Sequence, residues 1–233
     1  MFAERSNYRR LKKFSRLWGA EMFGVADISS AKHDFEVSQE ITKKVRRAVC
    51  CGVRLSSLVL SEIVQAPTKL YFHHYKTANM FLDQLAFAVA QWIERRGFFA
   101  LPIPASQIID WQQQKAHLSH KKIGYLAGLG WVGRNNLLVS KKFGAQFRMM
   151  TVLTDMPLAT DKPLEANCGT CRACVCACPA GAIQEAPEDF KHLICFEKLK
   201  SFQQQQIVGQ YVCGVCVKAC FGEKYYGQKH LAH

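Results

Sequence analysis

Apolar side chains recur at helical spacing in three stretches of the first two-thirds of the chain. Near the N-terminus, Leu11, Phe14 and Trp18 stand three or four positions apart, and a glycine follows them as a helix stop. Residues 71–96 carry apolar side chains on more than one helical face, which predicts a long helix in the middle of the core. A shorter helix is predicted for residues 115–127, which a glycine also follows.

Alternating or continuous apolar positions predict several strands between these helices. Residues 22–28 and 48–55 are expected to be strands, as are the runs NNLLVS and RMMTVLTD at 135–140 and 148–155. The segment LPIPASQ, residues 101–107, predicts an extended loop stiffened by its prolines. The mixture favours an α+β protein with enough apolar side chains for one real core.

The overall composition excludes two classes of protein. With 49% hydrophobic and 21% charged residues, the chain has a globular balance and not that of a disordered segment. No run of about 18 uncharged apolar residues occurs, so a membrane-spanning helix is not expected. The basic residues near the N-terminus are not followed by an apolar segment, so a secretory signal is not expected either. The sequence therefore predicts a cytoplasmic protein with no membrane partner.

The formal net charge of +13 is concentrated in the first 160 residues, which hold 23 Lys and Arg against 11 Asp and Glu. Between Asp110 and Asp155 the chain has basic residues and no acidic residue. This stretch predicts a positive surface for an anionic partner. An acidic electron donor, RNA phosphates or a merely solvated face all fit it, and nucleic acid is the less favoured partner.

Cysteine is unusually frequent, and its placement divides the chain. Of 11 cysteines, only Cys50 and Cys51 precede residue 160, and both are expected to be buried as small hydrophobic side chains. The other nine lie between residues 168 and 220. Dense cysteine without an export signal indicates metal binding and not a disulfide framework. We therefore expect an α+β domain over 1–160 and a metal-binding domain over 161–233.

The spacing of these cysteines is specific for iron–sulfur chemistry. Residues 168–179 follow the pattern C-x2-C-x2-C-x3-C-P, which is typical of bacterial ferredoxins with 4Fe–4S clusters. In that pattern the fourth cysteine binds the other cluster, and a second run follows that begins at Cys195. Two zinc sites are the rival interpretation. The expected ligand sets are Cys168, Cys171, Cys174 and Cys220 for the first cluster, and Cys178, Cys195, Cys213 and Cys216 for the second. Cys176 is left over as a free or packed thiol.

Two blocks of sequence together resemble the epoxyqueuosine reductase family. They are the GLGWxG block within residues 127–158 and the cysteine run CGTCRACVCACPAGAI at 168–183, and GVADI at 24–28 extends the resemblance upstream. The resemblance implies a cobalamin-reductase-like α/β domain followed by a two-cluster bacterial ferredoxin-like module. It further implies reduction of an epoxide on a modified tRNA base, in a protein similar in plan to reductive dehalogenases.

The resemblance also implies which residues lie near a cobalamin. They are Trp131, Gly133, Arg134 and Asn135. The residue types are compatible, because glycines let a backbone approach a flat ligand, an arginine binds phosphate and an asparagine offers amide donors and acceptors. A glycine-rich turn with a core tryptophan is the alternative interpretation.

Two departures from the family favour a shortened relative with a different substrate. The family's proposed proton donor is an aspartate in the loop before this helix, but residues 103–106 here hold no acid. The family's helical-repeat extension for tRNA should follow the clusters, whereas this chain ends 13 residues after Cys220. A proton donor is still required by the chemistry. The weak candidates for that role are Asp110, His117, His120 and Tyr125, with His73 and His74 weaker still. His117 and His120 are expected to share a helix face.

The preferred hypothesis is an iron–sulfur oxidoreductase with two 4Fe–4S clusters. Electrons from a ferredoxin- or flavodoxin-like donor would pass through both clusters to a corrinoid or similar cofactor, and from there to a small molecule or modified nucleoside. A non-catalytic ferredoxin-type electron carrier is one alternative. A tRNA epoxyqueuosine reductase proper is the other.

Overall fold

The computed structural model describes residues 2–110 and 114–222. Its helices are α1 (Phe2–Leu17), α2 (Gln39–Lys44), α3 (Ser57–Ser61), α4 (Lys69–Glu94), α5 (His120–Leu126), α6 (Ala173–Ala177), α7 (His192–Gln204) and α8 (Val215–Ala219). Its strands are β1 (Met22–Asp27), β2 (Arg47–Arg54), β3 (Ala100–Ile103), β4 (Trp131–Val132), β5 (Leu138–Val139) and β6 (Phe147–Thr154). None of the helices in the described part of the chain is both long and apolar enough to cross a membrane.

The chain forms two compact units, and each consists of several separate segments. Unit 1 comprises Met1–Val53, Ala78–Leu129 and Arg148–Leu164, and unit 2 comprises Arg54–Thr77, Gly130–Phe147 and Glu165–His233. The segments 54–77 and 130–147 thus join the cysteine-rich part of the chain. The expected domains 1–160 and 161–233 stay a prediction, because compactness does not establish which segments fold independently.

Unit 1 is organised around a four-stranded sheet in the order β1-β2-β6-β3. β1 pairs antiparallel with β2, and β3 with β6. β3 includes residues 101–103, which were expected to belong to an extended loop, so that expectation was wrong for those three residues. β3 is an edge strand, which is the place in a sheet where a proline such as Pro102 is tolerated.

Both faces of this sheet are covered by apolar side chains. Val49 and Cys51 of β2 belong to the cluster that contains the long helix α4, whereas Ala48 and Cys50 belong to the cluster that contains α5. The alternation follows from the two-residue period of a strand. Cys50 and Cys51 are fully buried, which confirms the expectation. Burial raises the pKa of Cys51 to about 12, so this thiol stays protonated at neutral pH.

The sequence located most elements of unit 1 but misjudged the start of α5. The predicted strands at 22–28 and 48–55 correspond to β1 and β2, and the helix predicted for 71–96 to α4. The helix predicted for 115–127 begins only at residue 120, because the Ser119 side chain caps it by accepting from Lys122 N at 3.4 Å. His117 therefore lies outside the helix, and the expected helix face shared with His120 was wrong.

The packing of α5 on the sheet explains a glycine in β1. A Cβ atom at Gly24 would collide with the Ala127 carbonyl that follows α5. The helix end therefore approaches the strand closely enough that only glycine fits there. This contact positions α5 and its first residue, His120.

Replacement of a leucine in α4 tests the assignment of this helix to the core. Leu85 is fully buried in the cluster with β2, so Leu85→Ala should lower the free energy of unfolding by about 2–5 kcal/mol. Leu17→Ala is the matched control, since Leu17 is 78% exposed and its loss should change stability by under about 0.5 kcal/mol. Urea titrations of the two variants give both values, and equal losses would contradict the assignment.

Candidate functional site

The two cysteine runs of unit 2 adopt the same local structure. α6 begins one residue before Cys174 and ends one residue before Cys178, and α8 has the same relation to Cys216 and Cys220. In each run the last cysteine donates its backbone N–H to the carbonyl three residues earlier, at 3.4 Å and 3.2 Å. α6 and α8 contact each other. The sequence analysis missed both short helices, which set the cysteines at equivalent positions.

Electrostatic interactions group four of the thiols into a first set. Burial raises the pKa of Cys174, and the neighbouring thiols of Cys168 and Cys171 raise that pKa further. Burial raises the pKa of Cys220 to about 12, and Cys174, Cys168 and Cys171 again contribute. Cys220 therefore lies beside the first run, although 41 residues lie between it and Cys178 at the end of that run.

The remaining four thiols form a second set in the same way. Burial raises the pKa of Cys195 to about 11, with further contributions from Cys178 and Cys213. Burial also raises the pKa of Cys216 well above its ordinary value, and Cys213, Cys195 and Cys178 add to that rise. Cys174 of the first set adds a smaller contribution to the pKa of Cys216, so the two sets are close neighbours.

All 11 cysteines are free thiols, so both sets are chemically able to bind metal. Among residues 2–110 and 114–222, no three His, Cys, Asp or Glu side chains converge tightly enough to hold one metal ion. A tetrahedral zinc would need its four sulfurs about 3.8 Å apart, given Zn–S bonds of about 2.3 Å. A 4Fe–4S cube needs a wider setting, because each of its irons takes one thiolate.

Side chains that the sequence analysis did not identify hold α8 within unit 2. The ammonium group of Lys218 donates to the carbonyls of Ser61, at 3.1 Å, and Ile63. Gln146 Nε2 donates to the Lys218 carbonyl at 2.9 Å. Ala145 N donates to the Cys220 carbonyl at 3.3 Å. These bonds fix the position of the second cysteine run, and no periodicity or motif would have revealed them.

Arg134 lies against the first cysteine run. Its two terminal nitrogens donate to the carbonyls of Cys171 and Gly169, both at 2.9 Å. Its Nε faces the Glu185 carboxylate at 3.8 Å and has no hydrogen-bond acceptor. The positive charge of Arg134 lowers the pKa of Cys174, against the larger effect of burial. This cation thus favours negative charge on the thiols of the first set.

Two further residues of the same segment carry buried donors. The indole Nε1 of Trp131 and the amide Nδ2 of Asn135 are buried and have no acceptor among the described residues. Such groups cost about 1–3 kcal/mol when unpaired, so each is expected to have an acceptor outside residues 2–110 and 114–222. A negatively charged cluster beside them is a suitable partner.

The same segment does not fit a corrinoid in the way the resemblance implies. The terminal nitrogens of Arg134 are occupied by carbonyls and are not directed at a phosphate. A Cβ atom at Gly130 or Gly133 would collide with Val139, so that side of both glycines is covered by protein and not open to a flat ligand. These residues are better suited to holding the first cysteine run in place.

His120 lies in a polar network of unit 1 and does not suit proton donation at neutral pH. Its Nε2 donates to the Pro104 carbonyl at 2.9 Å, and its Nδ1 accepts from the Thr151 hydroxyl at 2.8 Å. Burial lowers the pKa of His120 to about 4, and the positive charge of Arg148 adds to this. The Pro104 hydrogen bond and Asp83 act in the opposite direction without reversing the shift.

The same network holds the loop in which the family's acid was expected. Asp83 accepts from Ala105 N at 2.8 Å, and Arg148 donates to the Ala105 carbonyl at 3.3 Å. Arg148 also donates to Asn79 at 2.9 Å. The sequence analysis missed this network, although polar residues within the apolar pattern of α4 were a signal for it.

The other three candidate proton donors lie elsewhere in unit 1. Asp110 pairs through its backbone with Lys115 in an isolated bridge. His117 donates to the Glu36 carbonyl at 3.1 Å. Tyr125 lies in α5.

The fold is similar to those of a reductive dehalogenase and of epoxyqueuosine reductases in solved structures. A variant of the catabolic reductive dehalogenase NpRdhA superposes with a TM-score of 0.74, over 93% of this chain and 32% of that chain at 20% identity. An epoxyqueuosine reductase crystallised with an epoxyqueuosine-modified tRNA stem loop superposes with a TM-score of 0.60, over 92% of this chain and 64% of that chain at 16% identity. At these identities the likeness concerns the fold.

The sequence similarity is more specific and confirms the resemblance to epoxyqueuosine reductases. The epoxyqueuosine reductase of Leadbetterella byssophila is 35% identical over 103 residues, which are 40% of this chain and 33% of that protein. The chain spans a third or less of the length of the curated relatives that it matches. No protein-family model matches the chain.

We expect His120 to make unit 1 acid-sensitive. Because folding lowers the histidine pKa from 6.5 to about 4, its neutral form stabilises the fold above pH 6.5, and this stability is lost as the pH falls from 6.5 towards 4. The free energy of unfolding of the parent should fall by about 2 kcal/mol across that interval, and His120→Gln should abolish this fall. Urea midpoints at several pH values measure it. His33 is exposed, so the control variant His33→Gln should retain the pH dependence of the parent. The same pH dependence in His120→Gln would contradict the assignment.

Proposed function

We propose that this chain is an iron–sulfur oxidoreductase of the epoxyqueuosine reductase type, in which two 4Fe–4S clusters carry electrons to a substrate. The observation that supports it most strongly is the exchange of the last cysteines between the two runs. Cys220 interacts with the thiols of the first run, and Cys178 with those of the second. Ferredoxins with two clusters use this exchange, which two independent zinc sites do not require.

The residues of unit 2 would prepare the thiols for such clusters. Burial keeps Cys195, Cys216 and Cys220 protonated at neutral pH, so they release protons when a metal binds. Arg134 offsets the negative charge beside Cys174, and Lys198 has the same effect on the pKa of Cys213. When bound, the clusters would supply one-electron transfer at potentials that burial, charge and hydrogen bonds set.

The proposed electron donor is a ferredoxin- or flavodoxin-like protein. Eleven free thiols suit a reducing compartment such as the cytoplasm, where donors of this kind are present. The formal charge of +13 suits an acidic docking partner. The proposed substrate is a small molecule or a modified nucleoside, since the related structure with a tRNA stem loop shares this fold.

A corrinoid as the next acceptor is a prediction from the resemblance alone. Arg134, Gly130 and Gly133 are engaged with protein atoms and do not by themselves form a corrinoid site. Loading the chain with both clusters, adding cobalamin and recording the spectrum after gel filtration tests this point. Retained cobalamin would support the corrinoid, whereas its loss with both clusters intact would favour a ferredoxin-type electron carrier. A steep, salt-dependent affinity for tRNA would favour the tRNA epoxyqueuosine reductase proper.

We expect the iron content of cysteine variants to report which thiols share a cluster. The parent chain, reconstituted without oxygen, should hold about eight irons, and Cys220→Ser or Cys178→Ser should each leave about four. The double variant Cys220→Ser/Cys168→Ser should still hold about four, because both changes affect the first cluster. Cys220→Ser/Cys178→Ser should lose nearly all iron.

The leftover thiol supplies the matched control. Cys176 is exposed and lies in α6 between the two proposed ligands, so Cys176→Ser should keep about eight irons. Zinc in place of iron in the parent, or equal iron in the two double variants, would overturn the proposed ligand sets.

A further inference from the structure

Asn135 carries a buried hydrogen-bond donor that has no protein partner among residues 2–110 and 114–222. The residue is 3% exposed, and its Oδ1 accepts from Leu137 N at 3.2 Å. Its Nδ2 is buried and has no acceptor among the described residues. The orientation of the amide is fixed, because exchange of its oxygen and nitrogen would set two donors against each other at Leu137.

The position of Asn135 identifies what the partner could be. A Cβ atom placed on Gly133 would lie 3.0 Å from Asn135 Oδ1 and 3.4 Å from Cys168 Sγ. The amide and this thiol therefore lie against the same residue. Arg134, which lies between Gly133 and Asn135 in the sequence, fixes this segment against the cysteine run by its two bonds to the carbonyls of Gly169 and Cys171.

We propose that Asn135 Nδ2 donates a hydrogen bond to a sulfur of the cluster held by Cys168, Cys171, Cys174 and Cys220. The inference rests on the proposed function and adds to it the residue that tunes one of the two clusters. Cluster sulfurs accept N–H donors, and these bonds are among the factors that set the reduction potential. Because the reduced cluster carries one more negative charge, the donor stabilises the reduced form and raises the potential of this cluster.

Trp131 Nε1 is a second buried donor without an acceptor in this segment. Asn135, by contrast, shares the neighbour Gly133 with Cys168. The assignment is therefore to Asn135. The second cluster has its own four thiols, so its reduction potential serves as the internal reference.

Asn135→Asp is the informative variant, because it keeps an oxygen for Leu137 N and replaces the donor by a charged acceptor. We expect the loaded variant to show, for one cluster, at least a tenfold smaller ratio of reduced to oxidised form at a fixed potential, which is about 59 mV for one electron. The other cluster should be unchanged. Redox titration followed by electron paramagnetic resonance measures both clusters, and iron analysis precedes it.

Asn167→Asp is the matched control. Asn167 also accepts a local backbone N–H, from Gly169 at 2.7 Å, but it is exposed, so the same new charge is screened by solvent. Asn135→Leu removes the donor without adding charge and should shift the potential in the same direction by less. Equal shifts for Asn135→Asp and Asn167→Asp, or no shift with about eight irons present, would overturn the hydrogen bond. A parent chain without iron would overturn the proposed function, and the inference with it.

A measurement on the unaltered chain is independent of any effect of the variants on folding. Asparagine labelled with nitrogen-15 in its side chain should give a weak hyperfine coupling to the reduced cluster. Asn167→Asp should retain this coupling. Its absence from the parent would contradict a hydrogen bond from Asn135.

Discussion

The confinement of eight thiol groups to one unit is the constraint on which the rest of this structure depends. Burial and mutual repulsion both raise the pKa of Cys216 and Cys220, so the chain disfavours eight bare thiolates in this place. The thiols need either protons or cations of high charge. Most local features of unit 2 hold these eight side chains together in spite of that cost.

Two kinds of support meet this constraint. The first is positional: α6 and α8 present their cysteines at equivalent points, and Lys218 and Gln146 fix α8 through backbone carbonyls. The second is electrostatic: Arg134 brings a largely buried positive charge to the first set and at the same time holds the loop around Gly169. A single side chain thus provides both geometry and charge, which is why a lysine would not replace it well.

In unit 1, apolar residues cover the sheet and a separate polar network holds a loop. Its sheet is covered on both faces, and its buried histidine, His120, is held neutral between Thr151 and Pro104. Together with Asp83 and Arg148, this histidine fixes the loop at 104–105. These contacts hold a turn that contains no acidic residue at positions 103–106.

The sequence by itself determined the spacing of the cysteines, the long helix α4 and the strands β1 and β2. Each of these depends on neighbours a few residues away, through ligand geometry or side-chain periodicity. It did not reveal β3, because a proline-rich segment becomes a strand only when a partner edge such as β6 is present. It also did not reveal the late start of α5, where one serine cap outweighed the longer apolar pattern. Only the tertiary structure decided which side chains surround the first cysteine run. Arg134 and Asn135 reach it across more than 30 residues of chain, and no local pattern carries information about so distant a contact.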